Sequence, residues 1–289
     1  MYDITGYHEA TNLQDVFEIT KQDPNARIIA GGTDVLVKSR ERKEDFVNTQ
    51  LIGVTRIEEM QGVYLDEEET LVIGALNSFT QIEKNPIVQK CAPLLSYACS
   101  TVGGPQTRNA GTIGGNVCNG ATSADSAPTL FCHNAILEIH SLDGVKNVSI
   151  HDFYKGAGWV DLNPGEILVK IKIKKEDYAG YLGGYTKFAQ RKALDIANLS
   201  CATIIKHDAG VIEDVRICFG VAGPTPIRMR QAEEYAKGKE ITDEVLKEIG
   251  EKCLLDAKTR NSWRASKEYR DFLITILPAR NIVEALKGE

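Results

Sequence analysis

The segment GGPQTRNAGTIGGNVCNGATSADSAP, residues 103–128, limits the possible folds of this chain more than any other stretch. It carries glycines at 103, 104, 111, 114, 115 and 120, two prolines and many small polar residues, with little side-chain mass to bury. Such a length of small residues is uncommon inside a compact domain unless the backbone wraps something. The surrounding chain is ordinary: 289 residues, 43% hydrophobic and 26% charged, the profile of a globular protein rather than a disordered one. Its length gives a prior of ~2 domains.

Charge and composition exclude several function classes. Thirty-four Lys and Arg against forty Asp and Glu leave a net charge of −6. Duplex nucleic acid and anionic membranes need a concentrated basic face, so neither is an expected partner. No run approaches the ~20 apolar residues of a membrane span. MYDITGYHEATNLQDVFEIT lacks a basic region followed by an apolar one, so no secretory signal is expected and the reading is cytoplasmic. The seven cysteines are scattered, with no C-x-x-C and no zinc or iron–sulfur spacing. Reduced, mostly buried thiols are expected. There is no G-x-G-x-x-G after a strand, no Walker A motif, no H-E-x-x-H and no G-x-S-x-G. The five histidines stand apart from one another and from obvious nucleophiles. No catalytic side chain and no metal ligand is assigned.

Periodicity organises the rest. Residues 11–21 read as an amphipathic helix with Thr11 as N-cap. ARIIAGGTDVLVKSR reads as strand, double glycine and a helix opened by Thr33; with a strand at 50–54 it makes a β-α-β unit over the first 55 residues. GVYLDEEETLVIGAL, 62–76, reads as a hairpin whose acidic run is a solvated turn. PIVQKCAPLLSYACST reads as one helix over 86–101, and AILEIH, VKNVSI and ILVKIKI as strands between 135 and 173. DYAGYLGGY, 177–185, marks a boundary. Beyond it, strands are expected near 184–190, 199–207 and 211–221, then helices at about 228–237, 242–257 and 266–286. Strands followed by helices indicate an α+β domain.

Two glycine loops carry the chemistry. In Ala30-Gly31-Gly32-Thr33-Asp34 the glycines allow close approach of a ligand, and a following helix presents unpaired N–H groups to an anion. One exposed charge at a helix N-terminus gains only ~0.3–1 kcal/mol, so a diphosphate would need several direct amide bonds as well. Thr112-Ile113-Gly114-Gly115-Asn116 is a second such turn, with Thr33 and Thr112 adding hydroxyl donors. From the residues alone, two tight turns without a ligand is an equal reading.

AGGTD (30–34), TRNAGTIGGNVCNGATSADSAPTL (107–130), GEILVKI (165–171), YTKFAQR (185–191) and WRASKEYR (263–270) resemble the FAD-binding subunit of molybdenum hydroxylases, the xanthine dehydrogenase family. The similarity runs in order over essentially the whole chain, and GATSADSAP looks most like the bacterial xanthine dehydrogenase subunits. The resemblance implies an α+β chain: a two-subdomain α/β FAD-binding domain of the PCMH type over 1–176 (subdomains about 1–55 and 56–176). A C-terminal domain of antiparallel sheet plus helices, 177–289, would then cover the flavin.

Carried over position by position, Arg27, Ile28, Ile29, Ala30, Gly31, Gly32, Thr33 and Asp34 would line the diphosphate and adenosine side. Thr112, Ile113, Gly114, Gly115 and Asn116 would form the second phosphate-contacting turn. Asp125 would bond ribityl or ribose hydroxyls, Leu168 would touch the flavin, and Lys187 would sit near its isoalloxazine or ribityl end. Val102 falls where animal relatives carry an aromatic residue. Each has a plain alternative: Asp125 as an N-cap, Lys187 as a solvated lysine, Leu168 as core.

The implied function is electron transfer in purine oxidation. Electrons would pass from a molybdopterin-binding catalytic subunit through a [2Fe–2S] subunit to FAD on this chain, and on to NAD+. The chain has no cysteine framework for clusters, so molybdenum-pterin and [2Fe–2S] would reside on partners. Nicotinate or carbon monoxide dehydrogenase-type complexes, or a scaffold that binds no flavin, are the rival readings.

Overall fold

Among the described residues, three main sheets and one two-stranded hairpin arise from three stretches of chain. The computed structural model describes residues 2–287 of the 289. The first stretch comprises β1 (Ile4–Glu9), α1 (Leu13–Gln22), β2 (Arg27–Ile29), α2 (Val35–Arg40) and β3 (Thr49–Gly53), whose strands form a parallel sheet in the order β1-β3-β2. The sequence reading has the β2–α2–β3 unit but misses β1. That strand is an edge with mostly polar, half-exposed side chains, so it lacks an apolar signal. Asn12, not Thr11, caps α1: its side chain accepts from the Asp15 amide, while Thr11 turns both its N–H and its hydroxyl to the Asp15 carboxylate. Likewise α2 begins at Val35 behind Asp34, with no side-chain cap, so Thr33 does not open it.

The second stretch holds β4 (Val63–Leu65), β5 (Leu71–Gly74), α3 (Phe79–Lys84), α4 (Pro86–Cys91), α5 (Pro93–Ser100), α6 (Pro105–Ala110), α7 (Ile113–Cys118) and α8 (Ala127–Cys132). It continues with β6 (Ile136–Ser141), β7 (Gly144–Ser149), α9 (Ile150–Phe153), β8 (Tyr154–Gly156), β9 (Trp159–Val160) and β10 (Ile167–Ile173). Five of these strands form an antiparallel sheet in the order β4-β5-β10-β6-β7, and β8 and β9 form a small hairpin. The expected single helix over 86–101 is two, because Pro93 offers no N–H and forces Ala92 to φ −140° and ψ 61°, outside the helix. The glycine-rich segment, expected as irregular wrapping chain, contains three short helices, α6 and α8 each opened by a proline in its first turn.

The last stretch contains β11 (Leu182–Phe188), β12 (Leu199–Asp208), β13 (Val211–Gly220), β14 (Ile227–Arg228), α10 (Arg230–Ala236), α11 (Asp243–Cys253) and α12 (Lys267–Leu286). Its antiparallel sheet runs β11-β12-β13-β14, and the β12–β13 hairpin turns where the sequence places it. The chain is thus α+β with a C-terminal antiparallel sheet and helices, as the sequence reading has it.

This last sheet is buried on both faces, by two different cores. Cys201, Ile205, Ile217 and Phe219 pack with Ile249, Leu273 and Leu277 from the helices, while Ala202, Ile204 and Cys218 join the core of the preceding stretches. The alternation along β12 is what divides them. Two arginines add a polar weld. Arg216 Nη1 donates to the Cys132 carbonyl at 3.2 Å and to Asp177 at 2.7 Å. Arg228 Nη1 donates to the Phe131 carbonyl at 3.0 Å, while its Nε and Nη2 clasp Glu233. Both guanidiniums therefore meet carbonyls of the last turn of α8, where the Phe131 carbonyl also accepts from the Asn134 amide at 3.2 Å. The cysteines are unpaired, and all but half-buried Cys118 are buried.

His151 lies beside this weld, its Nε2 3.0 Å from Asn134 Oδ1. Burial, and then the positive charges of Arg228, Arg230 and Arg216, push its pKa down from 6.5 to about 4. Between those values the unfolded chain holds the extra proton, so folding stability is present above pH 6.5 and falls as pH drops toward 4. His133, also depressed by burial, adds to the same slope. In urea unfolding, His151→Gln should lose less of its midpoint between pH 6.5 and 4.5 than the parent chain does. An identical slope in the two proteins would contradict this assignment.

Candidate functional site

Strand β2 ends at Ile29, and Ala30 leads Gly31 and Gly32 to a crest before α2, with Gly32 at φ +70°, a left-handed conformation that glycine adopts without strain. Gly31 has a different reason to lack a side chain. A Cβ there would lie 1.7 Å from the Ala110 carbonyl oxygen and 3.0 Å from the Gly111 nitrogen. The 30–34 crest therefore rests directly on the Ala110–Gly111 peptide, 80 residues away in sequence. Gly111 is held in turn: a Cβ on it would meet Phe79 at 2.9 Å and the Thr33 hydroxyl at 3.2 Å. Main chain touches main chain, and the two glycine segments are neighbours.

The segments offer different things. Among the described residues, the amides of Gly31, Gly32, Thr33 and Asp34 donate to no other group. They are available to a ligand on a crest that is half-buried apart from exposed Thr33. The expected second turn, Thr112–Asn116, is instead the opening of α7, with Thr112 as N-cap. Its amides are mostly spent: Ile113 N–H on Asn77 O at 3.0 Å, Gly114 N–H on Ala75 O at 2.9 Å, Gly115 N–H on the Thr112 hydroxyl at 3.1 Å, Asn116 N–H on Thr112 O at 3.0 Å. Thr112 N–H alone among them has no partner within the described residues. Gly114 is glycine because α7 presses on Ala75, where a Cβ would come within 2.5 Å of the alanine methyl.

Two side chains tie the segments further. Lys38 Nζ reaches Asp34 at 2.7 Å and Asn119 at 2.6 Å, joining α2 to the end of α7. Arg27 lies nearby, paired with Asp45 at 3.4 Å and, like Lys38, placed over the Phe46 ring. Ile28 and Ala30 are half-buried, and Ile29 is core.

A second group lies further along. Ser126 donates to Asn116 Oδ1 at 2.7 Å, so the end of the second glycine segment is bonded to the start of α8, one residue from Asp125. Asp125 Oδ2 accepts from Lys187 Nζ at 2.7 Å, and Asp125 Oδ1 from the Tyr185 hydroxyl at 3.1 Å. The ammonium also donates to the Thr101 carbonyl at 2.9 Å, next to half-buried Val102. Asp125 and Lys187 are almost buried, 8% and 11% exposed as side chains. Burial pushes the Asp125 carboxyl up, and the Lys187 charge and the Lys187 and Tyr185 hydrogen bonds pull it back. Asp125 is not an N-cap, since Ser126 holds that position without a side-chain bond, and Lys187 is no solvated lysine. Leu168 is core, 2% exposed on β10 beside α7 and at an irregularity in the pairing with β6.

A cavity of about 360 Å³ opens beside Lys187, lined also by Tyr97, Thr101, Tyr185, Arg191 and Asp195. A wider groove of about 870 Å³ between α11 and α12 shares only Thr186 with it and contains none of the expected residues. The predicted residues thus fall on one track: the crest at 30–34, Thr112, Asn116, Asp125, then Lys187. Sequence reasoning missed Thr101, Lys38, Ser126 and Tyr185. Tyr185 was legible as the residue two before Lys187 on a strand, and therefore on the same face.

The backbone contact at Gly31 has a direct test. Gly31→Ala forces Cβ into the Ala110 carbonyl and should destabilise the chain by about 1–3 kcal/mol, the cost of overpacking. Gly6→Ala, whose Cβ would find its nearest neighbour, Gln50, at 3.6 Å, should cost far less. Equal midpoints for the two variants in denaturant titrations would show that the segments do not touch as described.

Residues 2–174 match the FAD binding domain in molybdopterin dehydrogenase, and residues 184–285 the CO dehydrogenase flavoprotein C-terminal domain. The xanthine dehydrogenase FAD-binding subunit of Escherichia coli O157:H7 is 39% identical over 286 residues, 99% of this chain and 97% of that one. The nicotinate dehydrogenase FAD-subunit of Eubacterium barkeri is 33% identical over 231 residues, 78% and 76% of the two chains. Carbon monoxide dehydrogenase from Hydrogenophaga pseudoflava, in a form lacking the Mo-pyranopterin moiety of its cofactor, superposes with a TM-score of 0.93 at 25% identity over 99% of each chain. A family model over residues 2–174 and a relative 39% identical along nearly the whole chain establish that this chain belongs to the family of FAD-binding subunits of molybdopterin dehydrogenases.

Proposed function

We propose that this chain carries FAD as the electron-transfer subunit of a molybdenum hydroxylase that oxidises purines such as xanthine and hypoxanthine. Electrons arrive from [2Fe–2S] clusters on a partner subunit, which is fed by a molybdopterin-binding catalytic subunit, and leave to NAD+. The family supports the flavin and the class of enzyme, and the 39% identity to a xanthine dehydrogenase subunit supports the purine reading. The molybdenum-pterin and the [2Fe–2S] clusters are placed on those partner subunits, and this chain carries the flavin. No helix in the described residues is long and apolar enough to cross a membrane, and we place the complex in the cytoplasm. The working division is 1–55 and 56–176 as the FAD-binding part and 177–289 as the part that covers it.

The observation that carries this reading is the seating of Gly31 on the Ala110–Gly111 peptide, with free amides above it. In this arrangement Gly31–Asp34 and Thr112 bind the diphosphate through N–H groups, and Arg27–Ala30 flank the adenosine side. The second segment contributes mainly closeness, because small residues let the ligand approach a backbone whose other amides are satisfied. Asn116 and Asp125 would orient the polar chain between phosphate and ring, Leu168 would touch the flavin, and Val102 and Lys187 would bound its ring end. Lys187 spends two of its three protons on Thr101 and Asp125 and keeps one for a ligand. When bound, the flavin supplies exchange between single-electron and hydride transfer, while the protein binds, orients and tunes it.

Identity between relatives at 33% also admits a nicotinate-oxidising complex. Substrate choice lies with the molybdenum subunit, so the test is made on the assembled complex. Purified with its partners, it should show flavin absorption and reduce NAD+ when given xanthine. NADH formation with nicotinate but not xanthine would move the assignment to that branch, and a colourless protein would sink the flavin role.

A further inference from the structure

Tyr185 is outside every role given above, yet its buried hydroxyl meets the carboxylate that holds Lys187. Its ring packs edge-on against Tyr97, 6.3 Å between centroids, and only 7% of the residue is exposed. β11 presents Tyr185 and Lys187 to the same side, and the two converge on opposite oxygens of Asp125, at 3.1 Å and 2.7 Å. A buried carboxylate with one partner can swing about that partner; with one on each oxygen it is fixed in plane and direction. The Asp125 charge is also better held with two donors than with one, because it is removed from water. The ammonium is anchored from the other side by the Thr101 carbonyl. The string therefore leaves Lys187 with one proton pointing elsewhere, beside the cavity lined by Tyr97, Thr101 and Arg191.

We propose that Tyr185 is a positioning residue: its hydroxyl locks Asp125, Asp125 locks the Lys187 ammonium, and the aim of that ammonium sets how firmly negative charge on the reduced flavin is held. This rests on the placement of the flavin ring end at the Lys187 cavity. A fixed positive charge in a water-poor cavity favours the more negative form of a neighbour, whereas a mobile one is averaged and screened. Phenylalanine at 185 keeps the ring, its contact with Tyr97 and its burial, and removes the hydroxyl with its bond to Asp125 and its contacts to the Ser200 and Thr101 side chains.

The experiment measures the two-electron midpoint potential of the FAD-loaded full chain for Tyr185→Phe, Lys187→Met, Asp125→Asn and the Tyr185→Phe/Lys187→Met double variant. Tyr185→Phe should weaken the holding of reduced relative to oxidised flavin about tenfold, a shift of about 30 mV to more negative potential. Lys187→Met should shift it further in the same direction. The double variant should match Lys187→Met alone, since the hydroxyl acts only through the lysine. A Tyr185→Phe potential equal to the parent's while Lys187→Met shifts, or a double variant that shows the sum of both changes, would overturn the positioning role. If Lys187→Met and Asp125→Asn also leave the potential of bound flavin unchanged, the failure lies in the placement of the ring end, not in Tyr185. Should Lys187→Met fail to retain FAD, Asp125→Asn takes its place in the double variant with the same expected equality.

Discussion

One contact between two stretches of main chain fixes the geometry of this protein: the Gly31 Cα lying against the Ala110 carbonyl, where no side chain fits. It is a steric constraint rather than an attraction. Its consequence is that strand β2 and the linker between α6 and α7 share one point in space. A family of dinucleotide-binding arrangements relies on glycines that let the backbone approach phosphate; here the glycine first lets backbone approach backbone. The free amides of the 30–34 crest follow from that seating, since Gly32, at φ +70°, turns the chain outward before α2 begins.

From that point polar links run outward. Lys38 bridges Asp34 and Asn119, Ser126 joins Asn116, and Asp125 receives both Lys187 and Tyr185 from the last sheet. The far end of α8 is met by Arg216 and Arg228 of that same sheet. The short helix α8 is thus bonded at both ends to the C-terminal sheet, one end beside the candidate flavin site and the other at a buried ion network. Removing one member of a buried pair of this kind generally costs about 3–5 kcal/mol, which makes the C-terminal sheet a fixed wall rather than a loose flap.

Much of this was legible before any coordinates. The glycine clusters point to a backbone that must come close to something, and the strand and helix periods mark most of the observed strands near their places. What the sequence did not reveal has physical causes. β1 is an edge strand whose polar residues face water, so it carries no apolar alternation. The glycine-rich segment reads as helix-poor, yet α6, α7 and α8 form because prolines start two of them and packing against Ala75 holds the third. At the site, residue types were visible but their bonding was not. Four of the amides expected at Thr112–Asn116 to grip a ligand are satisfied by the helix opening and its neighbours. Tyr185 stayed hidden because an aromatic on a strand is more often packing than positioning.

The crest amides and Thr112 are proposed to serve one ligand together. Residue-resolved hydrogen exchange of the full chain with and without FAD measures this directly. The amides of Gly31–Asp34 and of Thr112 should slow together on adding FAD, with Ile113–Asn116 little changed because they are already bonded. Protection of one segment without the other, or of neither, would contradict a shared diphosphate site.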